Sequence, residues 1–149
     1  RNVLGVLCTH GHNDHINAAA ELAEDADAPV WLHPADSMLW DVVYPDRRVD
    51  DLLRDGASIS VGGGNLSILH TPGHSPGGCC VYSPSLGTVF SGDTLFNGGP
   101  GATGRSFSSY DLLVESIRAR LFVLPEATVV HTGHGDSTTI GDEARNLDG

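Results

Sequence analysis

Lysine is absent from this sequence. All eight basic side chains are arginine, set against nineteen acidic ones, and the formal charge is −11. A surface of that sign repels phosphate backbones, so nucleic acid is not expected as a partner. It offers no attraction to anionic membranes either. Long apolar runs are missing too: no stretch approaches the roughly 18 residues that a bilayer-spanning helix needs. No secretory signal stands at the start. The chain opens on Arg1 rather than Met, directly on an apolar run, so the natural start is expected to lie upstream. Cysteine is scarce, with only Cys8, Cys79 and Cys80. The odd count, the lack of C-x-x-C spacing and the adjacency of Cys79 and Cys80 exclude a disulfide scaffold. A reducing, cytoplasmic compartment is expected. Cys8 reads as a small buried strand residue.

What is present suffices for one domain. At 149 residues with 40% hydrophobic content, the chain can bury a core of its own. Residues 3–8 form an apolar, β-branched run that reads as a buried strand leading into a histidine-rich segment. Residues 16–24 favour helix. A short strand at 30–32 and a helix at 35–43, stopped by Pro45, follow. Residues 46–56 read as a charged surface connection. The runs 58–61 and 66–69 flank Gly62-Gly63-Gly64-Asn65, a hairpin signal. Strands are expected at 79–82, 88–90 and 129–130, and a glycine-rich loop at 97–104. A helix capped by Ser108 or Ser109 runs to about residue 121, with Leu113, Ile117 and Leu121 on one face. A last short helix is expected at 138–146. The interleaved pattern is mixed α/β.

Chemistry concentrates in His10, His12, Asp14 and His15. In an extended segment, positions i, i+2 and i+4 point to one side, so His10, His12 and Asp14 converge, and His15 at the helix start turns toward the same volume. Imidazole with carboxylate suits Zn²⁺, Fe²⁺ or Mn²⁺. Four such groups crowd a single tetrahedral ion, and two adjacent ions sharing them is the easier geometry. His74, Asp93 and His134 each follow a strand and stand beside a glycine. Seven candidates divide well between two ions if one carboxylate bridges. His33, His70 and His131 read as structural, with His70 the best of them for a supporting contact to a ligand.

Four segments carry a family likeness: Thr9-His10-Gly11-His12-Asn13-Asp14-His15, Thr71-Pro72-Gly73-His74-Ser75-Pro76-Gly77-Gly78, Ser91-Gly92-Asp93-Thr94-Leu95-Phe96 and Thr132-Gly133-His134-Gly135. In order and spacing they resemble the metallo-β-lactamase superfamily, and within it the glyoxalase II (hydroxyacylglutathione hydrolase) branch. The resemblance implies an αββα sandwich with metals at one edge. It implies that His10, His12 and His74 hold one ion, that Asp14, His15 and His134 hold the other, and that Asp93 bridges. The family usually carries several strands ahead of the first motif, whereas nine residues precede His10 here. Residues 1–149 are therefore expected to be one hydrolase domain that is incomplete at its N-terminus, or completed by another segment or a second copy. Long glyoxalase II enzymes bind glutathione carboxylates through basic residues of a C-terminal extension. This chain ends fifteen residues after His134, which leaves Arg105 as the candidate for anion contact.

The expected activity is hydrolysis of a small-molecule thioester by a hydroxide held between two divalent ions, Zn²⁺ first, with Fe²⁺ or Mn²⁺ as alternatives. Asp14 would orient the hydroxide. A thiolate leaves without protonation, which suits a site lacking a general acid. Competing readings are a mononuclear iron persulfide dioxygenase, a lactone or β-lactam hydrolase, and a metal-binding chain without turnover.

Overall fold

The computed structural model describes residues 2–148. The strands of its first sheet are short. β1 (Val6–Leu7) pairs in parallel with β2 (Val30–Leu32), which pairs in parallel with β3 (Asp51–Leu52). β1 is shorter than the apolar run 3–8, since only Val6 and Leu7 pair, with Val30 and Trp31. β3 lies where the sequence reads as a connection: an exposed edge strand carrying an aspartate looks like a loop, although the following Leu53 is buried.

The second sheet has six strands in the order β11-β10-β7-β6-β5-β4. They are β4 (Ser58–Val61), β5 (Gly64–His70), β6 (Cys79–Ser83), β7 (Thr88–Gly92), β10 (Val129–Thr132) and β11 (Thr138–Thr139). A two-stranded hairpin, β8 (Leu95–Phe96) with β9 (Gly99–Pro100), occupies part of the expected glycine-rich loop. β11 takes the first two residues of the segment read as helix 138–146. Its paired threonines are β-branched and suit a strand, and the helix itself is Ile140–Asp148.

Period-two alternation builds three apolar layers. Val6, Cys8, Val30 and Leu32 point to the helices on the outside of the first sheet, where they meet Ile16, Ala19, Ala23 and Trp40. Leu7 and Trp31 point the other way, to Ile68, Cys79 and Val81 of the second sheet. The outer face of that sheet presents Leu69, Cys80, Val89 and Val130 to Leu113, Ile117, Leu121 and Ile140. Helix, sheet, sheet and helix follow in order, which is the expected αββα sandwich. Adjacent Cys79 and Cys80 therefore face different layers, and all three cysteines are free and buried.

The helical reading of 16–24 is divided in two. α1 (Asn13–Ile16) ends before α2 (Ala19–Ala26) begins. The Tyr44 hydroxyl lies between them. It donates to the Ile16 carbonyl at 2.7 Å and faces the Ala20 amide at 3.5 Å, so these two groups do not bond each other. An inserted side chain is a recognised cause of such breaks. α3 (Ser37–Val43) follows a 3₁₀ turn, Pro34–Asp36. α4 (Tyr110–Ser116) is capped by Ser109 and widens into a π-turn, Ile117–Leu121, with Phe122 N bonding Ile117 O at 2.9 Å. α5 is Ile140–Asp148. No helix among the described residues is long and apolar enough to cross a membrane.

β5, β7 and β10 run in one direction, because β7 and β10 are parallel and β6 is antiparallel to both β5 and β7. Their C-terminal loops share one edge of the sandwich. Thr9, just beyond β1, reaches the same edge, where its carbonyl accepts from Cys79 N at 2.8 Å. The loop after β5 is packed onto α4 at Gly73, where a Cβ would collide with the backbone of Leu113. Leu113→Ala empties a fully buried site and is expected to cost about 2–5 kcal/mol in urea unfolding. A loss below about 1 kcal/mol would contradict this account of the layer.

Candidate metal centre

The shared edge gathers all seven candidates. His10 and His12 leave β1, Asp14 and His15 sit in α1, His74 lies after β5, Asp93 after β7 and His134 after β10. Three groups of donor atoms each fall within 4.8 Å of one another: His10–His12–His74, His10–His15–Asp93 and Asp14–His15–His134. Asp93 stands between the first and the last. Its Oδ2 is 3.7 Å from His10 Nε2, 3.4 Å from His74 Nε2 and 3.5 Å from His134 Nε2, while its Oδ1 is 3.2 Å from His15 Nε2. Buried His10 and His74, with the largely covered Asp93, form a floor. Asp14 and His134, 57% and 58% exposed, form an open rim.

Several donors are aimed from behind. His74 Nδ1 donates to the Ala102 carbonyl at 2.7 Å, which turns Nε2 toward the cluster. Thr9 Oγ1 lies 3.0 Å from His10 Nδ1 and does the same for His10. The inward atoms lack conventional partners. His12 Nδ1 and His74 Nε2 approach to 3.1 Å, as do His15 Nε2 and His134 Nε2. His10 Nε2 and Asp93 Oδ1 are buried without any hydrogen bond among the described residues. Lone pairs converging on a point they cannot satisfy among themselves suit a bound cation.

Burial, reinforced by the neighbouring His15, pushes the His10 imidazole down to about 2. Burial and His74 also lower His12, with a further contribution from Arg105. His15 is raised, chiefly by the Asp93 carboxylate 3.2 Å away. Burial opposes ionisation of Asp93, yet the adjacent His15 and His74 imidazoles hold its carboxyl well below the usual range. His10 is thus a neutral imidazole at any working pH, ready to donate a lone pair.

One residue of this edge escapes sequence reasoning. Asp36 is fully buried. Its carboxylate accepts from Gly11 N at 2.9 Å, Ser75 Oγ at 2.7 Å and Gly77 N at 2.6 Å. It ties the segment carrying His10 and His12 to the 71–78 loop carrying His74. Gly77 is required at this approach, since a Cβ there would stand 2.7 Å from the Asp36 carboxyl carbon. In sequence, an aspartate at a helix start reads as a cap, yet Asp36 makes no capping bond.

The other histidines are structural, as expected. His33 stacks on His70 with centroids 4.0 Å apart and accepts from Ala35 N. His70 Nε2 donates to the Pro76 carbonyl at 2.9 Å, which supports the His74 loop. His131 bonds Ser137. Arg105 is exposed, on the turn that follows Ala102.

Comparison with known proteins agrees with this arrangement. The family model described as the metallo-beta-lactamase superfamily matches residues 1–134. A curated relative, the hydroxyacylglutathione hydrolase GloC of Haemophilus influenzae, is 34% identical across 97% of this chain and 74% of its own length. Among solved structures, the B3 metallo-beta-lactamase BLEG-1 superposes with a TM-score of 0.86 at 34% identity, over 95% of this chain and 74% of that one. TTHA1623, solved in a di-iron-bound form, gives 0.83 at 38% identity, over 96% and 75%.

Two predictions follow from the geometry. Asp36→Ala strands three donors and is expected to lower the unfolding free energy by roughly 3 kcal/mol and divalent-metal affinity by about 10–100-fold. Calorimetric metal titration of the folded variant checks this, and unchanged affinity would remove Asp36 from its bracing role. The second concerns pH. Below 6.5 the unfolded chain protonates His10 and His12, whereas their lowered folded values keep them neutral. The metal-free protein should therefore lose stability on acidification. His15, being raised, contributes stability that is complete below 6.5 and is lost only as pH rises through its folded value, so it adds no slope in that window. Urea unfolding between about pH 6.5 and 5 should show a slope that rises toward about 1.4 kcal/mol per pH unit from His10 alone; a flat profile would refute it.

Proposed function

This chain belongs to the metallo-beta-lactamase superfamily, and from that membership we propose that it is a binuclear metallohydrolase acting on thioesters, in the manner of hydroxyacylglutathione hydrolases. The observation that carries the reading is the pair of orphaned buried atoms, His10 Nε2 and Asp93 Oδ1, on the floor of a convergent donor set. In this reading His10, His12 and His74 hold one divalent cation, Asp14, His15 and His134 hold a second, and Asp93 serves both. The cysteines take no part: burial raises the Cys8 and Cys80 thiols to about 11 and places them in the core. A donor set of imidazole and carboxylate suits Zn²⁺, our first choice, and equally Fe²⁺ or Mn²⁺. The di-iron form of TTHA1623 shows that a similar protein holds iron.

Two such cations, when bound, would supply hydroxide at neutral pH and an electrophilic seat for a developing oxyanion. The chain's own residues do the rest. Asp14, on the open rim, accepts a hydrogen bond from the attacking oxygen and aims it at the thioester carbonyl. The C–O bond forms, the C–S bond breaks, and the electron pair leaves on sulfur. A thiolate needs no proton from the protein, which fits a cluster of imidazoles and carboxylates in a chain without lysine. An amine leaving group would need that proton. GloC, whose name states thioester hydrolysis of this kind, lends support by similarity. Arg105 is assigned to an anionic part of the substrate.

Elemental analysis beside a thioester screen tests the reading. The expected result is two metal equivalents per chain, turnover lost on chelation, and turnover restored by Zn²⁺, Fe²⁺ or Mn²⁺. His12→Ala and Asp93→Ala should each lose metal together with about 100-fold or more of turnover. Full activity in metal-free protein would overturn the proposal. One iron per chain with oxygen uptake would replace it by the dioxygenase reading.

A further inference from the structure

Among the described residues two carboxylates are buried, Asp36 and Glu143. Asp36 braces the segments that carry His10, His12 and His74. Glu143 bonds none of the seven ligand candidates, yet a charge in the interior needs its acceptor sites filled. Its place in the first turn of α5 suggests an ordinary helix-start acid, but that task falls to other groups. Thr139 Oγ1 accepts from Asp142 N at 3.2 Å, and the amides of Ile140 and Gly141 donate to the Thr128 and Glu126 carbonyls at 3.0 Å each. Glu143 directs its oxygens outside the helix. Oε1 accepts from Gly98 N, at the tip of the β8–β9 hairpin, at 3.1 Å. Oε2 accepts from Thr138 Oγ1, in β11, at 2.5 Å.

These two contacts bracket an exposed ligand candidate. His134 stands in the loop 133–137 between β10 and β11. Among the described residues nothing bonds its Nδ1 from behind, in contrast to the Nδ1 atoms of His10 and His74. Its position is therefore set by the ends of its loop. At the leading end Gly133 N donates to Gly92 O at 2.6 Å, and a Cβ on Gly133 would stand 2.1 Å from Asp93 Oδ1. The trailing end is held at Thr138 by Glu143, and at Ser137, whose carbonyl accepts from Asn97 Nδ2 at 3.0 Å. The same hairpin carries Phe96, whose ring lies 23° from the plane of the His134 imidazole with centroids 6.3 Å apart. Both segments are open to solvent, Asn97 and Gly98 on one and residues 134–137 on the other, so an apolar layer does not fix them. One carboxylate ties them together, from a helix whose Ile140 is seated in the core.

We infer that Glu143 is a positioning residue for the Asp14–His15–His134 half of the centre, and that it holds the His134 loop and the β8–β9 hairpin in register so that His134 meets Asp14 and His15. His134 Nε2 lies 3.1 Å from both Asp14 Oδ2 and His15 Nε2. The inference rests on the two-ion reading only for what is bound there. Each half of the centre then has one buried acid behind it, Asp36 for His10, His12 and His74, and Glu143 for the open rim. Two acceptor oxygens on one rigid carboxylate suit this use, because parting either segment from the other unpairs a buried charge. Groups that aim a ligand in this way change metal affinity without touching the metal.

The test has a zinc arm and a metal-free arm. In the first, Zn²⁺ is titrated into the protein by calorimetry, and wild type should take two equivalents. Glu143→Ala should weaken one of them about 10–100-fold and leave the other within about two-fold. Thr138→Val, which keeps the bond to Gly98, should weaken the same equivalent. Glu143→Gln should return to within about three-fold of wild type, since its amide can accept from Gly98 N and donate to Thr138 Oγ1. His134→Ala should abolish the affected equivalent, and adding Glu143→Ala to it should weaken the remaining one no further. In the second arm, amide hydrogen exchange follows the protein without metal. The Gly133 amide should lose about ten-fold or more of its protection in Glu143→Ala, while the Thr71 amide, which donates to Gly78 O beside His74, keeps its own. Equal weakening of both equivalents, or of neither, would overturn the inference. So would Glu143→Gln behaving like Glu143→Ala, or Gly133 protection that only follows Thr71. If wild type takes a single zinc, the two-ion reading fails while the exchange arm still decides whether Glu143 holds the His134 loop. If Glu143→Ala does not fold, Thr138→Val carries both arms.

Discussion

The Asp36 carboxylate is fully buried, and it fixes the separation of two loops that have no regular secondary structure of their own. Three donors converge on it, two from backbone amides and one from Ser75. A charge in the interior is tolerated when its acceptor capacity is filled, and here filling it sets the distance between the segment with His10 and His12 and the loop with His74. Remove the carboxylate and the donors lose their partner before any ligand is touched. The centre therefore depends on an acid that does not face it. Behind the 71–78 loop, the His70–Pro76 bond and the Gly73–Leu113 packing complete the support.

Much of this was legible in the chain. The H-x-H-x-D-H spacing announces convergent ligands because polar density after an apolar strand has no packing use. The three later motifs follow strands, as period-two patterning and turn signals predict; that these strands share a direction is seen only in the fold. What was not legible came from distant partners. The break after Ile16 is made by Tyr44, twenty-eight residues on. Asp36 carries the signature of a helix cap, and only its placement against Gly11 and Gly77 shows its use. Thr138 and Thr139 follow their intrinsic β preference once β10 is present to pair with them.

Floor and rim divide the electrostatic work. Burial keeps His10 neutral, so its lone pair is available without competition from protons. Asp93 stays ionised despite burial because imidazoles surround it. The exposed Asp14–His134 side leaves room for a substrate, and it is the side where solvent can exchange.

The same convergence that suits the centre to cations works against the metal-free fold. Imidazole nitrogens held 3.1 Å apart, with two buried atoms unpartnered, are groups the unfolded chain would solvate. Ions that bind only the folded arrangement satisfy these atoms and couple occupancy to stability. Opposing forces already hold the scaffold: three apolar layers, the Asp36 brace and the capped α4. These let the seven side chains remain gathered before a cation arrives. Binding then draws on a preformed set, with little reordering of chain, and the layers carry the cost of keeping lone pairs together.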